Sequence, residues 1–105
     1  MDKGKTLSRN EALDLVRQYK HIISRHFVHE PQVLMFGSYS KGDAKPYSDI
    51  DVAVIVPTIG DKWFELSKTL WHEVDKVSLL IEPVLMSPEH PSPLYDDVMR
   101  TGIAV

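Results

Sequence analysis

Cysteine is absent from this 105-residue chain, which removes disulfides and any thiolate metal site from consideration. No apolar run approaches the ~20 residues needed to span a bilayer, and the N-terminal MDKGKTLSRNEA lacks the apolar core of a secretion signal. A basic excess is missing too: 12 Lys and Arg stand against 15 Asp and Glu, for a net charge of −3. That balance argues against a general nucleic-acid binder or an anionic-membrane binder. There is no Gly-x-Ser-x-Gly nucleophile elbow and no Walker-type lysine. No two of the five histidines are spaced i, i+4 for shared zinc ligation, so they read as surface or boundary residues. Repeats and low-complexity segments are also lacking. What remains is the expectation of one cytoplasmic domain over residues 1–105, with a flexible tail over 1–7 and enough chain for a single core.

Local patterns give the order of elements. Ser8-Arg9-Asn10-Glu11 fits a capping box, with Leu7 and Ala12 as a hydrophobic staple. The helix that follows carries Ala12, Leu15, Val16, Tyr19, Ile22, Ile23 and Phe27 at helical spacing. Val33 to Phe36 reads as a short buried strand, and Gly37 to Tyr47 as turns around a one-turn helix. Asp49 to Val56 is a second strand, ended by Pro57. Lys62 to Lys76 reads as a helix with Trp63, Leu66, Leu70 and Val74 inward. Val77 to Met86 is a third strand, Ser87 to Pro93 a Pro-rich linker, and Leu94 to Thr101 a last short helix closed by Gly102. This order predicts a small α+β domain of two layers, helices packed on one mixed sheet.

The second strand carries the chemistry. Its even positions, Ile50, Val52, Val54 and Val56, are all apolar; its odd positions run Asp49, Asp51, Ala53, Ile55. Both faces therefore read as buried over most of the length, with two carboxylates together at one end of one face. Such residues have Cα atoms ~6.6 Å apart, and like charges at that distance call for a cation between them. Their side chains can lean together around two Mg²⁺ ions ~3.5–4 Å apart, the separation used in nucleotidyl displacement. A bland reading is also available, in which Asp49 caps a turn after Ser48 and Asp51 is solvated.

Gly37-Ser38 follows a buried strand and opens a turn, where glycine lets a phosphate approach the backbone and a serine hydroxyl adds a donor. Lys41 and Lys45 in the same loop could add charge, although loop lysines are by default solvated. Glu82 is a lone carboxylate on a strand face otherwise made of Leu80, Val84 and Met86. A nearby cation would favour its ionised form; equally, it could escape to solvent where Pro83 marks an edge or bulge.

Gly-Ser, ten residues, then Asp-x-Asp resembles the motif of the DNA polymerase β-like nucleotidyltransferase superfamily. Within it, the chain is similar to the minimal nucleotidyltransferases, whose usual form is GSxARGxxxxxSDIDL. Here the residues are Gly37-Ser38-Tyr39-Ser40-Lys41-Gly42, then Ser48-Asp49-Ile50-Asp51-Val52. The resemblance extends over nearly the whole chain and implies the polymerase β-like fold. It further implies that Gly37 and Ser38 bind nucleotide phosphates, with Lys41 keeping the charge but not the fork of the usual arginine. Asp49, Asp51 and Glu82 would be metal ligands for Mg²⁺, with Glu82, the third carboxylate, near the acceptor hydroxyl. The activity implied is transfer of AMP, or another nucleoside monophosphate, from ATP or another triphosphate to a hydroxyl. Proteins of this kind pair as antitoxins with HEPN-domain proteins, and the acceptor would be a tyrosine on such a partner. The competing reading is a non-catalytic antitoxin that blocks its partner by contact, against which the intact Gly-Ser and both aspartates weigh.

Overall fold

The computed structural model describes residues 6–105. The first five residues of the expected tail lie outside the described residues; Leu7, at its end, packs against the core. Ser8 caps α1 (Arg9–Ser24) through the reciprocal capping box with Glu11. The chain then runs β1 (Gln32–Phe36), α2 (Ser38–Lys41), β2 (Ile50–Ile55), α3 (Trp63–His72), a 3-10 turn (Val74–Lys76), β3 (Ile81–Met86), α4 (Pro93–Thr101) and β4 (Ile103–Ala104). None of the described helices is long and apolar enough to cross a membrane.

The strands form one mixed sheet in the order β3-β2-β1-β4. β1 is antiparallel to β2 and to β4, whereas β2 and β3 run parallel. The alternation in β2 separates two cores, as its sequence predicts. Ile50, Val52, Val54 and Val56 join α1 and α3 in the larger cluster, with Val16, Tyr19, Ile23, Met35 and Leu70. On the reverse face Ala53 and Ile55 meet Leu34, Phe36, Met86 and Val98 of α4. Asp51 and Glu82 belong to this second face, so α4 covers the sheet surface on which the carboxylates stand. Pro83 lies on the edge strand β3, where its missing N–H costs no ladder bond.

Three local expectations need correction. Trp63, assigned to the inner face of its helix, is 50% exposed at the first position of α3; Leu70 is the buried residue of α3, and Val74 is buried in the 3-10 turn after it. The third strand starts at Ile81 rather than Val77, because Ser78 draws the backbone into a turn: its hydroxyl accepts from Leu80 N (3.2 Å) and its carbonyl from Ile81 N (3.2 Å). Gly102 does end α4, but at φ −70°, with no left-handed turn. A side chain there would press on the Val98 carbonyl and on Leu34, so the need is for space. That close approach lets β4, too short for any alternation to announce it, pair with β1.

Candidate active site

The site lies at one end of the sheet, where β1 ends and the parallel β2 and β3 begin. Phe36 pairs with Asp51, and Asp51 pairs with Glu82 on its other side. Asp49 stands just ahead of β2, whose first ladder bond runs from Ile50 N to Leu80 O (2.7 Å). The register thus sets Asp51 and Glu82 directly opposite each other, with the Asp49 carboxyl beside Glu82.

The electrostatics follow from this crowding. Burial first, and the Asp49 charge second, push the Asp51 carboxyl above its ordinary value. Glu82 is pushed up as well, through its hydrogen bond with Asp49, then burial, then the charges of Asp49 and Asp51. Among the described residues no lysine, arginine or histidine forms an ion pair with any of the three. Like charges brought together at a strand start, without a protein cation, are a site that a cation would relieve.

Gly37 adjoins them at φ +75°, a conformation that favours glycine. A Cβ at this position would collide with the Asp51 carboxylate. The Gly-Ser turn and the Asp-x-Asp strand, twelve positions apart by sequence, are therefore in contact. Ser38 begins α2 immediately beside them.

Lys41 is placed differently from the rest. Its ammonium pairs with Asp97 of α4 at 3.1 Å, and Asp97 is shared with Arg100 at 2.8 Å. No pattern marks Asp97 as a partner of the loop, since its only local cue is the i, i+3 spacing to Arg100. Lys45 is exposed, its backbone N–H held by Ser48 Oγ (2.8 Å).

A second acidic centre went unnoticed in the sequence. Glu73, with a side chain only 3% exposed, receives Lys76 Nζ at 2.7 Å, Arg25 Nη2 at 2.8 Å and His26 Nε2 at 2.9 Å. Hydrogen bonds from Lys76, Arg25 and His26, in that order, hold its carboxyl down to about 2 against the opposing effect of burial. Nearby, Tyr19 donates to Leu70 O at 2.6 Å, and burial together with the Glu73 charge pushes the phenol up.

The chain resembles proteins of known family and fold. A protein of Methanocaldococcus jannaschii named "putative protein adenylyltransferase" is 28% identical over 99 residues, covering 90% of this chain and 99% of its own length. A crystal structure of a "putative nucleotidyltransferase" from Sulfolobus solfataricus superposes with a TM-score of 0.66 at 19% identity, over 96% of this chain and 88% of that one, which shows a common fold. A chain from a toxin–antitoxin crystal structure with AMP-PNP is 24% identical over 93% of this chain and 72% of its own, at a TM-score of 0.48. The model of the nucleotidyltransferase domain matches residues 16–101, from the middle of α1 to the end of α4, and the chain belongs to that family.

Proposed function

We propose that this protein transfers AMP from ATP to a hydroxyl group, in the presence of Mg²⁺, and that the hydroxyl belongs to a partner protein of the HEPN type. The observation that carries the chemistry is the contact between Gly37 and Asp51, with Asp49 and Glu82 alongside and no protein cation among them. The donor set fits Mg²⁺: hard carboxylate oxygens crowded at the start of two adjacent strands, with Asp51 and Glu82 pushed above their ordinary values. Among the described residues no three such groups are already arranged as a metal cage. That is compatible with Mg²⁺, which takes one or two carboxylates and completes its shell with water and substrate phosphate oxygens.

Each residue then has a task. Asp49 and Asp51 hold the metal; Gly37, with no side chain, leaves room for phosphate oxygens against the Asp51 strand, and Ser38 Oγ donates to them. When bound, Mg²⁺ supplies charge for the phosphates and stabilises the leaving pyrophosphate. The acceptor oxygen forms a bond to the α-phosphorus, the bond from that phosphorus to the bridging oxygen of pyrophosphate breaks, and Glu82 receives the hydroxyl proton. Lys41 would leave Asp97 to meet the triphosphate. ATP and Mg²⁺ are available in the cytoplasm, where this reading puts the protein.

The partner assignment rests on the resemblance to minimal nucleotidyltransferases, and labelling tests it. Purified protein, Mg²⁺, labelled ATP and the product of an adjoining HEPN-type reading frame should give a labelled partner and pyrophosphate. No label with wild type, together with a doubly substituted Asp49→Asn, Asp51→Asn protein that still neutralises the partner, would establish the non-catalytic antitoxin instead.

A further inference from the structure

The four-residue α2 carries the Gly37-Ser38 turn, and one turn of helix has no stability of its own. Its carbonyls show what holds it. Gly37 O accepts from Lys41 N (3.1 Å) and Ser40 Oγ (3.0 Å), and Ser38 O accepts from the N–H groups of Gly42 and Asp43. Tyr39 O and Ser40 O take no backbone donor among the described residues. Both accept instead from one side chain 30 and 31 positions earlier: Arg9 Nε reaches Tyr39 O at 3.3 Å, and Arg9 Nη2 reaches Ser40 O at 3.1 Å.

The placement of Arg9 makes little sense within its own helix. It is the first residue of α1, where a cation opposes the helix dipole. At the C-terminal end of α2, where its guanidinium lies, a cation is favoured. Among the described residues Arg9 forms no ion pair with a carboxylate, so its donors serve these carbonyls. The same end of the chain grips α2 a second time: Leu7 N donates to Tyr39 Oη at 3.4 Å, and the Tyr39 ring is buried in the main core.

We propose that Arg9 is a positioning residue which, by forking onto the last carbonyls of α2, holds the Gly37-Ser38 turn against Asp51 and so sets the affinity for the triphosphate. The role rests on the nucleotide reading above. Arginine suits it because a planar guanidinium reaches two acceptors at once, whereas a lysine ammonium is a point charge.

The test compares wild type, Arg9→Met and Arg9→Lys in three measurements: Mg-ATP dissociation constant, turnover at saturating ATP, and amide exchange of Lys41, Gly42 and Asp43. Arg9→Met should weaken Mg-ATP by about tenfold, the scale for losing hydrogen bonds from a charged donor. Turnover of the bound complex should stay within about twofold, because no reacting group is removed. The three amides should exchange faster, and Arg9→Lys should fall between the other two. Unchanged exchange in Arg9→Met, or faster exchange with unchanged affinity, overturns the role. So does an Arg9→Lys protein equal to wild type in affinity, which would make charge alone sufficient. If wild type binds no Mg-ATP while Arg9→Met still speeds exchange, the grip on α2 is real and the nucleotide reading is what fails.

Discussion

Glu73 and Glu82 are both glutamates at least partly withdrawn from solvent, and the protein treats their charges in opposite ways. Glu73 meets three cationic side chains and is held down to about 2. Glu82 meets two aspartates and is pushed up. A carboxylate serving the fold is neutralised where it sits; burying it unpaired would cost several kcal/mol. The carboxylates at the start of β2 and β3 keep their repulsion, which is what an arrangement awaiting an external cation looks like. Perturbed acids at both places thus have different meanings, and the sign of the shift separates them.

The largest effect expected from this contrast is on transfer. Asp49→Asn with Asp51→Asn should lower nucleotidyl transfer by on the order of 10³-fold, because the cation that would stabilise the leaving pyrophosphate is no longer held. The metal-free melting temperature should stay the same or rise, since repulsion is removed. A double variant with full activity in a labelled-ATP assay would end the comparison at once.

Ligand binding should come next in size. If the three carboxylates await a cation, Mg²⁺ with ATP at ~100 times the dissociation constant should add ~2.7 kcal/mol, or on the order of 10 °C for a domain of this size. The doubly substituted protein should show almost none of this shift in the same melting experiment. Glu73→Gln, by contrast, should leave the shift intact while lowering the starting temperature.

That starting temperature measures the other half of the comparison. Glu73→Gln should cost about 2 kcal/mol, a buried charge-assisted cluster whose cations are themselves half-exposed. The pH dependence has a definite sign. The folded value of Glu73 lies below its ordinary 4.5, so its stabilisation is complete above that value and is lost as the pH falls toward about 2. Melting curves of wild type and Glu73→Gln should therefore differ at neutral pH and converge near pH 2. A gap of constant size would mean that packing, not charge, is what the substitution removes.

The two regions were also unequally legible in the sequence. Asp49 and Asp51 stood out because β2 is apolar everywhere else, and alternation correctly separated its two faces. Glu82 stood out as a lone carboxylate on an apolar strand face and through the resemblance, whereas the register that puts it opposite Asp51 belongs to the fold. Glu73 was invisible for a physical reason. Only Lys76 is local to it, while Arg25 and His26 arrive from the end of α1 nearly fifty positions away. Arg9 and Asp97 were missed on the same grounds, since each acts through tertiary contacts to α2 that no periodicity encodes. Trp63 was misassigned because helical spacing fixes a face but not where along the sheet that face ends.

The smallest effect concerns the backbone between Gly37 and Asp49. Ser48 N donates to Lys45 O at 2.9 Å, closing a turn with Pro46 and Tyr47 at its corners. Tyr47 has φ 68°, and with proline at the preceding corner only a type II turn places a positive φ there. Glycine or asparagine normally fills that corner; for an aromatic residue the strain is ~1 kcal/mol. Little burial offsets it, as Tyr47 is 67% exposed. Strain and charge repulsion thus both collect beside the aspartates, whereas the Glu73 side of the molecule carries compensation. Tyr47→Asn, which tolerates the left-handed region without the chain entropy of glycine, should raise stability by about 1 kcal/mol, seen as an increase of roughly 5 °C in melting temperature. If the asparagine protein melts lower, the Tyr47 ring holds the turn through packing, and the strain is not confined to the site.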